Sequence, residues 1–104
     1  MALIRKSGVD PARFLGILTG SLFAAPVYET YSELILDEHY QPPGFTMPLG
    51  LEDVRGVLAA ADAKNVPMPV ASLLRDHFIT GVARGKADLD WSALALLAAE
   101  NAGL

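Results

Sequence analysis

At 104 residues the chain has room for one domain and not for two ordinary ones. Hydrophobic residues make up 52% without counting the glycines, and mean hydropathy is +0.33; a small domain cannot bury that much alone, so some apolar surface is expected to face another chain or domain. The formal charge of -4, with no cluster of Lys or Arg, argues against nucleic acid as a partner.

Arg5 and Lys6 followed by Gly8 read as the end of a helix, since cations suit its negative end and glycine accepts the left-handed cap. Only seven residues precede Gly8, whereas isolated helices shorter than about 12–15 residues are marginal in water. A frayed or docked turn fits, and so does a longer helix cut short at Met1; the second is the expectation. Asp10-Pro11 starts a helix as N-cap and first position, with Phe14, Leu15, Leu18 and Leu22 at helical spacing. Gly16 and Gly20 on its other side weaken it or admit another backbone. Pro26 opens a helix running to about residue 40, with Val27, Tyr31, Leu34 and Ile35 in one stripe and Glu29, Glu33, Asp37 and Glu38 outside it. Gln41-Pro42-Pro43-Gly44 stops it.

Met47-Pro48 and Gly50 make a short extended entry to a third helix over 51–65, striped by Leu51, Val54, Leu58 and Ala61. Val66-Pro67-Met68-Pro69 is a rigid break. The fourth helix, over 70–84, repeats Val70, Leu73, Leu74, His77, Phe78, Gly81 and Val82 at three and four residues and ends at Gly85. Asp88 or Asp90 caps a last helix carrying Trp91, Leu94, Leu97 and Ala98. No stretch alternates as a strand does. The fold class is therefore all-α: about five helices and an N-terminal remnant, in one domain over 1–104.

Several chemistries lack their residues. There is no cysteine, hence no disulfide or thiol chemistry. Apolar runs at 22–28 and 93–99 fall far short of the roughly 20 residues that span a bilayer, and residues 1–9 lack the apolar core of a signal peptide. A cytoplasmic protein is expected, with no membrane partner. No G-x-G-x-x-G or P-loop occurs, so a complete dinucleotide site on this chain is not expected. His39 and His77 show no ligand spacing, and no metal site is expected; His77 reads as a hydrogen-bonded core residue and His39 as solvated. The serines lack a nucleophile elbow, and Glu29, Glu33 and Asp37 read as a solvated helix face. Glu52-Asp53 opens a helix after a Pro/Gly turn, where carboxylates suit the dipole and free amides, a structural reading sufficient on its own.

The segments Gly8-Val9-Asp10-Pro11, Phe14-Leu15, Tyr40-x-Pro42, Gly44-Phe45, Leu51-x-Asp53, Val66-Pro67 and Asp90-Trp91-Ser92-Ala93-Leu94, in that order and spacing, cover almost the whole chain. Together they resemble the helical C-terminal domain of the β-hydroxyacid dehydrogenases, relatives of 3-hydroxyisobutyrate and 6-phosphogluconate dehydrogenases. The resemblance implies that Phe45 lines the substrate site and that Asp53 lies near it. It also implies a lysine at the nicotinamide cofactor where this chain has Glu52, a carboxylate that would repel a phosphate. The family's catalytic lysine would lie upstream of Met1, on the first long helix, along with the Rossmann domain; Lys6, Lys64 and Lys86 do not occupy its motif. The implied role is the substrate-binding and dimerising domain of an oxidoreductase that uses NAD or NADP on a small 3-hydroxy acid. Alone the chain is expected to be inactive and to bind no cofactor, and to form a homo-oligomer, most simply a dimer. The alternative is a non-catalytic helical interaction module.

Overall fold

The computed structural model describes residues 1–104. Six helices follow in order: α1 Ala2–Lys6, α2 Pro11–Thr19, α3 Pro26–Leu36, α4 Met47–Asp62, α5 Pro69–Ala83 and α6 Leu94–Asn101, the last preceded by a 3-10 turn at Trp91–Ala93. There are no strands; one antiparallel bridge joins Thr46 to Asp90.

Punctuation in the sequence sets most boundaries. Proline opens α2, α3 and α5 at the first position, where its missing N–H costs nothing. The Asp10 carboxylate accepts the Ala12 amide at 3.0 Å, capping α2. Gly8 (φ 70°) and Gly85 (φ 75°) take left-handed turns just beyond α1 and α5.

Several expectations are corrected. The third helix begins at Met47 rather than after an extended entry, because Pro48 falls in the first turn, where proline is tolerated, and the Gly50 amide already reaches the Thr46 carbonyl at 3.1 Å. It ends at Asp62, before Asn65 turns left-handed at φ 55°. Helix α3 stops at Leu36 instead of near residue 40: Glu38 is left-handed, and the Tyr40 carbonyl accepts the Asp90 amide at 2.9 Å rather than continuing a helix. His77 is exposed, as are Val70, Leu73 and Leu74, because only the Phe78–Gly81 side of α5 meets α4. Leu22 lies beyond the end of α2 and is 92% exposed. Gly16 and Gly20 receive no backbone from another element.

The core is small. Tyr40, Met47, Leu51, Phe78 and Ala93 form it, with Ile35, Val54, Val82, Leu89, Trp91, Leu94 and Leu96 packed around them. Helices α4 and α5 pair as an antiparallel hairpin whose closeness two glycines permit. A Cβ on Gly50 would stand 2.6 Å from Cε1 of Phe78, and one on Gly81 would run into the Met47 sulfur. Lys86 reaches the Glu100 carboxylate at 2.6 Å and ties the end of α5 to α6, holding Glu100 below the usual carboxylate range.

The molecule measures 43 × 32 × 25 Å with a radius of gyration of 14.9 Å, against roughly 13 Å for a compact domain of this length. Its accessible surface is 6724 Å², where a compact monomer of 11.1 kDa exposes roughly 5,700 Å². About 1,000 Å² is in surplus on that scale. No helix is long and apolar enough to cross a membrane.

Candidate functional site

A groove of about 460 Å³ lies where α3, α4, α5 and the turn before α6 meet, lined by Val27, Tyr31, Phe45, Gly50, Asp53, Phe78 and Trp91. Each element delivers its residue for a local reason. Tyr31 stands on the inner face of α3 and packs edge-on against Trp91, centroids 5.0 Å apart at 80°. Phe78 lies in the groove floor because Gly50 opposite has no side chain. Asp53, one turn further along α4, puts the one carboxylate into an otherwise apolar lining.

Phe45 is positioned by its backbone. Residues 37–46 form an irregular connection, with Gln41–Pro42 cis, between the end of α3 and α4. Asp90 gathers it in: Oδ2 accepts the amides of Gly44 and Phe45, both at 3.1 Å, while Oδ1 accepts the Ser92 amide at 2.9 Å and the Ser92 hydroxyl at 2.6 Å. The Trp91 amide donates to the Phe45 carbonyl at 2.8 Å, and the Met47 amide to the Leu89 carbonyl at 3.0 Å. Burial pushes the Asp90 carboxyl up, but the Ser92 hydroxyl and the amides of Ser92, Phe45 and Gly44 outweigh it and hold the group below its ordinary value.

Phe45 and Asp53 thus line one groove, as residues of one site must. Glu52 is exposed on α4 and does not line it. The helix start assigned to Glu52-Asp53 is corrected: α4 begins at Met47, so both lie in its second turn, beyond the free amides and most of the dipole. Of Asp88 and Asp90, Asp90 is the cap. Sequence reasoning gave Tyr31, Phe78 and Trp91 only as core stripe residues and missed that they converge with Phe45. The Asp-x-Ser pattern at 90–92 carried a capping signal, and nothing local revealed its second set of partners.

A second hollow of about 440 Å³ lies between α1, α3 and α6, with Arg5, Asp10, Asp37, Glu38 and Tyr40 among its lining. Its one cationic side chain, Arg5, is paired with Glu38 at 3.4 Å, and none of the expected site residues lies in it. No group of His, Asp or Glu is placed to hold a metal ion.

The family model described as NAD-binding of NADP-dependent 3-hydroxyisobutyrate dehydrogenase matches residues 1–98. The chain belongs to this family. Among the dehydrogenase's relatives, an uncharacterized oxidoreductase of Bacillus subtilis (strain 168), YfjR, is 39% identical over 92 residues, covering 88% of this chain and 32% of that protein. The 2-hydroxy-3-oxopropionate reductase of Escherichia coli (strain K12) is 30% identical over 89 residues, 86% of this chain and 30% of the reductase. The crystal structure of 3-hydroxyisobutyrate dehydrogenase (ygbJ) from Salmonella typhimurium shares the fold, with a TM-score of 0.84 at 22% identity, over 92% of this chain and 33% of that one. The chain therefore spans about a third of the length of the 3-hydroxyisobutyrate dehydrogenase-like proteins it matches.

Proposed function

We propose that this chain is the helical C-terminal, substrate-side domain of an NAD(P)-dependent β-hydroxyacid oxidoreductase, acting on a small 3-hydroxy acid or the matching carbonyl. The carrying observation is the convergence of Phe45 and Asp53 on one aromatic groove in a chain that the family model matches over residues 1–98. Phe45, Tyr31 and Trp91 give the substrate an apolar wall that keeps water from the reacting carbon. Asp53 accepts a hydrogen bond from a substrate hydroxyl or pairs with a neighbouring cation. Glu52, outside the groove on the same helix, faces the cofactor region.

The residues present do not fit a whole dinucleotide. The groove offers ring-sized apolar walls, but no cation lines it and no free helix-start amides converge there to meet a pyrophosphate. Nucleotide and catalytic lysine would both come from a Rossmann domain and the helix joining it to this one, so the chain alone turns nothing over.

The test is a chimera in which this chain replaces the matching segment of the E. coli 2-hydroxy-3-oxopropionate reductase, assayed by nicotinamide absorbance. Sustained reduction of that carbonyl is expected, with Phe45→Ala raising KM more than it lowers the melting temperature. A folded chimera that binds nicotinamide cofactor yet reduces neither that substrate nor a panel of related carbonyls sinks the proposal in favour of an interaction module.

A further inference from the structure

We infer that Asp90 is a positioning residue for the substrate: it touches no reacting atom and acts through Phe45 and Trp91, whose places on the groove wall its carboxylate sets. This rests on the substrate-side role proposed above. A helix cap needs one acceptor oxygen, and Oδ1 already serves that purpose at Ser92. Oδ2 instead holds the amides of Gly44 and Phe45, 46 and 45 residues away in sequence, which capping does not require. The two oxygens thus grip the two loops that carry the two rings. Trp91 closes the unit by donating to the Phe45 carbonyl and by resting on Tyr31. With Asp90 only 3% exposed, water cannot substitute for the lost acceptors. Asparagine cannot reproduce the grip, because its amide group would set donors against donors at one end.

The corner so held is apolar, and its one charged neighbour in the groove is the Asp53 carboxylate. It therefore receives the uncharged end of a substrate, and a substrate carboxylate is turned away from this chain toward the rest of the enzyme.

Two variants of the chimera separate positioning from plain stability. Asp90→Asn frees the Phe45 loop; it should raise KM on the order of tenfold, leave kcat within about threefold, and leave nicotinamide affinity unchanged. Ser92→Ala removes only a hydroxyl on Oδ1 and should lower the melting temperature with KM unmoved. An unchanged KM in Asp90→Asn, or KM and melting temperature shifting in step in both variants, overturns the inference. An inactive parent chimera overturns the functional reading and with it the substrate role. The grip itself is then decided in the 104-residue chain by hydrogen exchange at Gly44 and Phe45 and by emission of Trp91, the single tryptophan. Asp90→Asn should speed that exchange and shift that emission, and Ser92→Ala should leave Phe45 protected; equal protection in both variants shows that no grip exists.

Discussion

At Asp90, burial favours the neutral acid, while the Ser92 hydroxyl and three backbone amides favour the carboxylate and win, so the group titrates below the ordinary carboxylate range. A carboxyl depressed by folding adds stability above its unfolded pKa, and that stability is lost as pH falls through the folded pKa. The denaturation midpoint should therefore be level between about pH 5 and 7 and fall below about pH 4. Asp90→Asn should lower the plateau by about 1–3 kcal/mol and flatten the acid limb; an unaltered limb would assign the acid sensitivity to other carboxylates. Glu52 calls for a different measurement. It is exposed, and its sign is wrong for a phosphate neighbour. In the chimera Glu52→Lys should tighten nicotinamide-cofactor binding several-fold in low salt, and a dissociation constant that does not move places Glu52 away from the phosphates. Phe45 and Asp53 were legible together because the family's turn and its acidic residue sit at fixed spacing. Tyr31 and Trp91 were not, since their edge-on contact joins residues far apart in the chain, and local pattern carries no such information.

At the scale of elements, the hairpin of α4 and α5 depends on glycines that face it and is indifferent to one that does not. Gly81→Ala should cost about 1–3 kcal/mol, because the added methyl meets the Met47 sulfur and lies 3.3 Å from Cδ1 of Leu97. Gly56, inside α4 with nothing near its missing Cβ, should gain about 0.5–1 kcal/mol on replacement by alanine. Equal effects at the two sites, measured by urea denaturation, would mean that helix propensity and not packing governs the hairpin. The same distinction explains which elements could be read in advance. Helix starts marked by Asp10-Pro11 and Pro26, and ends marked by Gly8 and Gly85, rest on backbone chemistry that the residue itself carries, whereas Pro69, expected in the break before the fourth helix, is its first residue. The misread stretches are those a distant partner decides. Asp90 takes the Tyr40 carbonyl that a longer α3 would have used. The outward side of α5 has the same periodic residues as its inward side, so spacing could not show that His77, Leu73 and Val70 face away from α4.

For the whole molecule, the accessible surface is the quantity that asks for an explanation. The surplus of about 1,000 Å² over a compact monomer is close to the roughly 800 Å² that each partner gives to a stable interface. One run of exposed apolar residues lies around the α2–α3 connection. Ile17 (63%), Leu22 (92%), Phe23 (42%) and Tyr28 (49%) are all exposed, with Phe23 and Tyr28 packed edge to face 5.1 Å apart. Interface cores are enriched in aromatic side chains and poor in charge, and this patch has that composition. With the groove left to the Rossmann domain proposed above, we propose a second copy of the chain for this patch, since a self-complementary patch closes as a two-fold dimer and leaves no edge for further growth. Sedimentation over a dilution series should therefore show a monomer–dimer equilibrium. Leu22→Glu should weaken it at least tenfold, because a carboxylate enters the apolar centre of the contact. Leu73→Glu, on the outward side of α5, should leave it nearly unchanged. A folded monomer at high micromolar concentration would show that the α2–α3 surface meets no second copy, and a Leu73→Glu effect equal to that of Leu22→Glu would move the interface to α5.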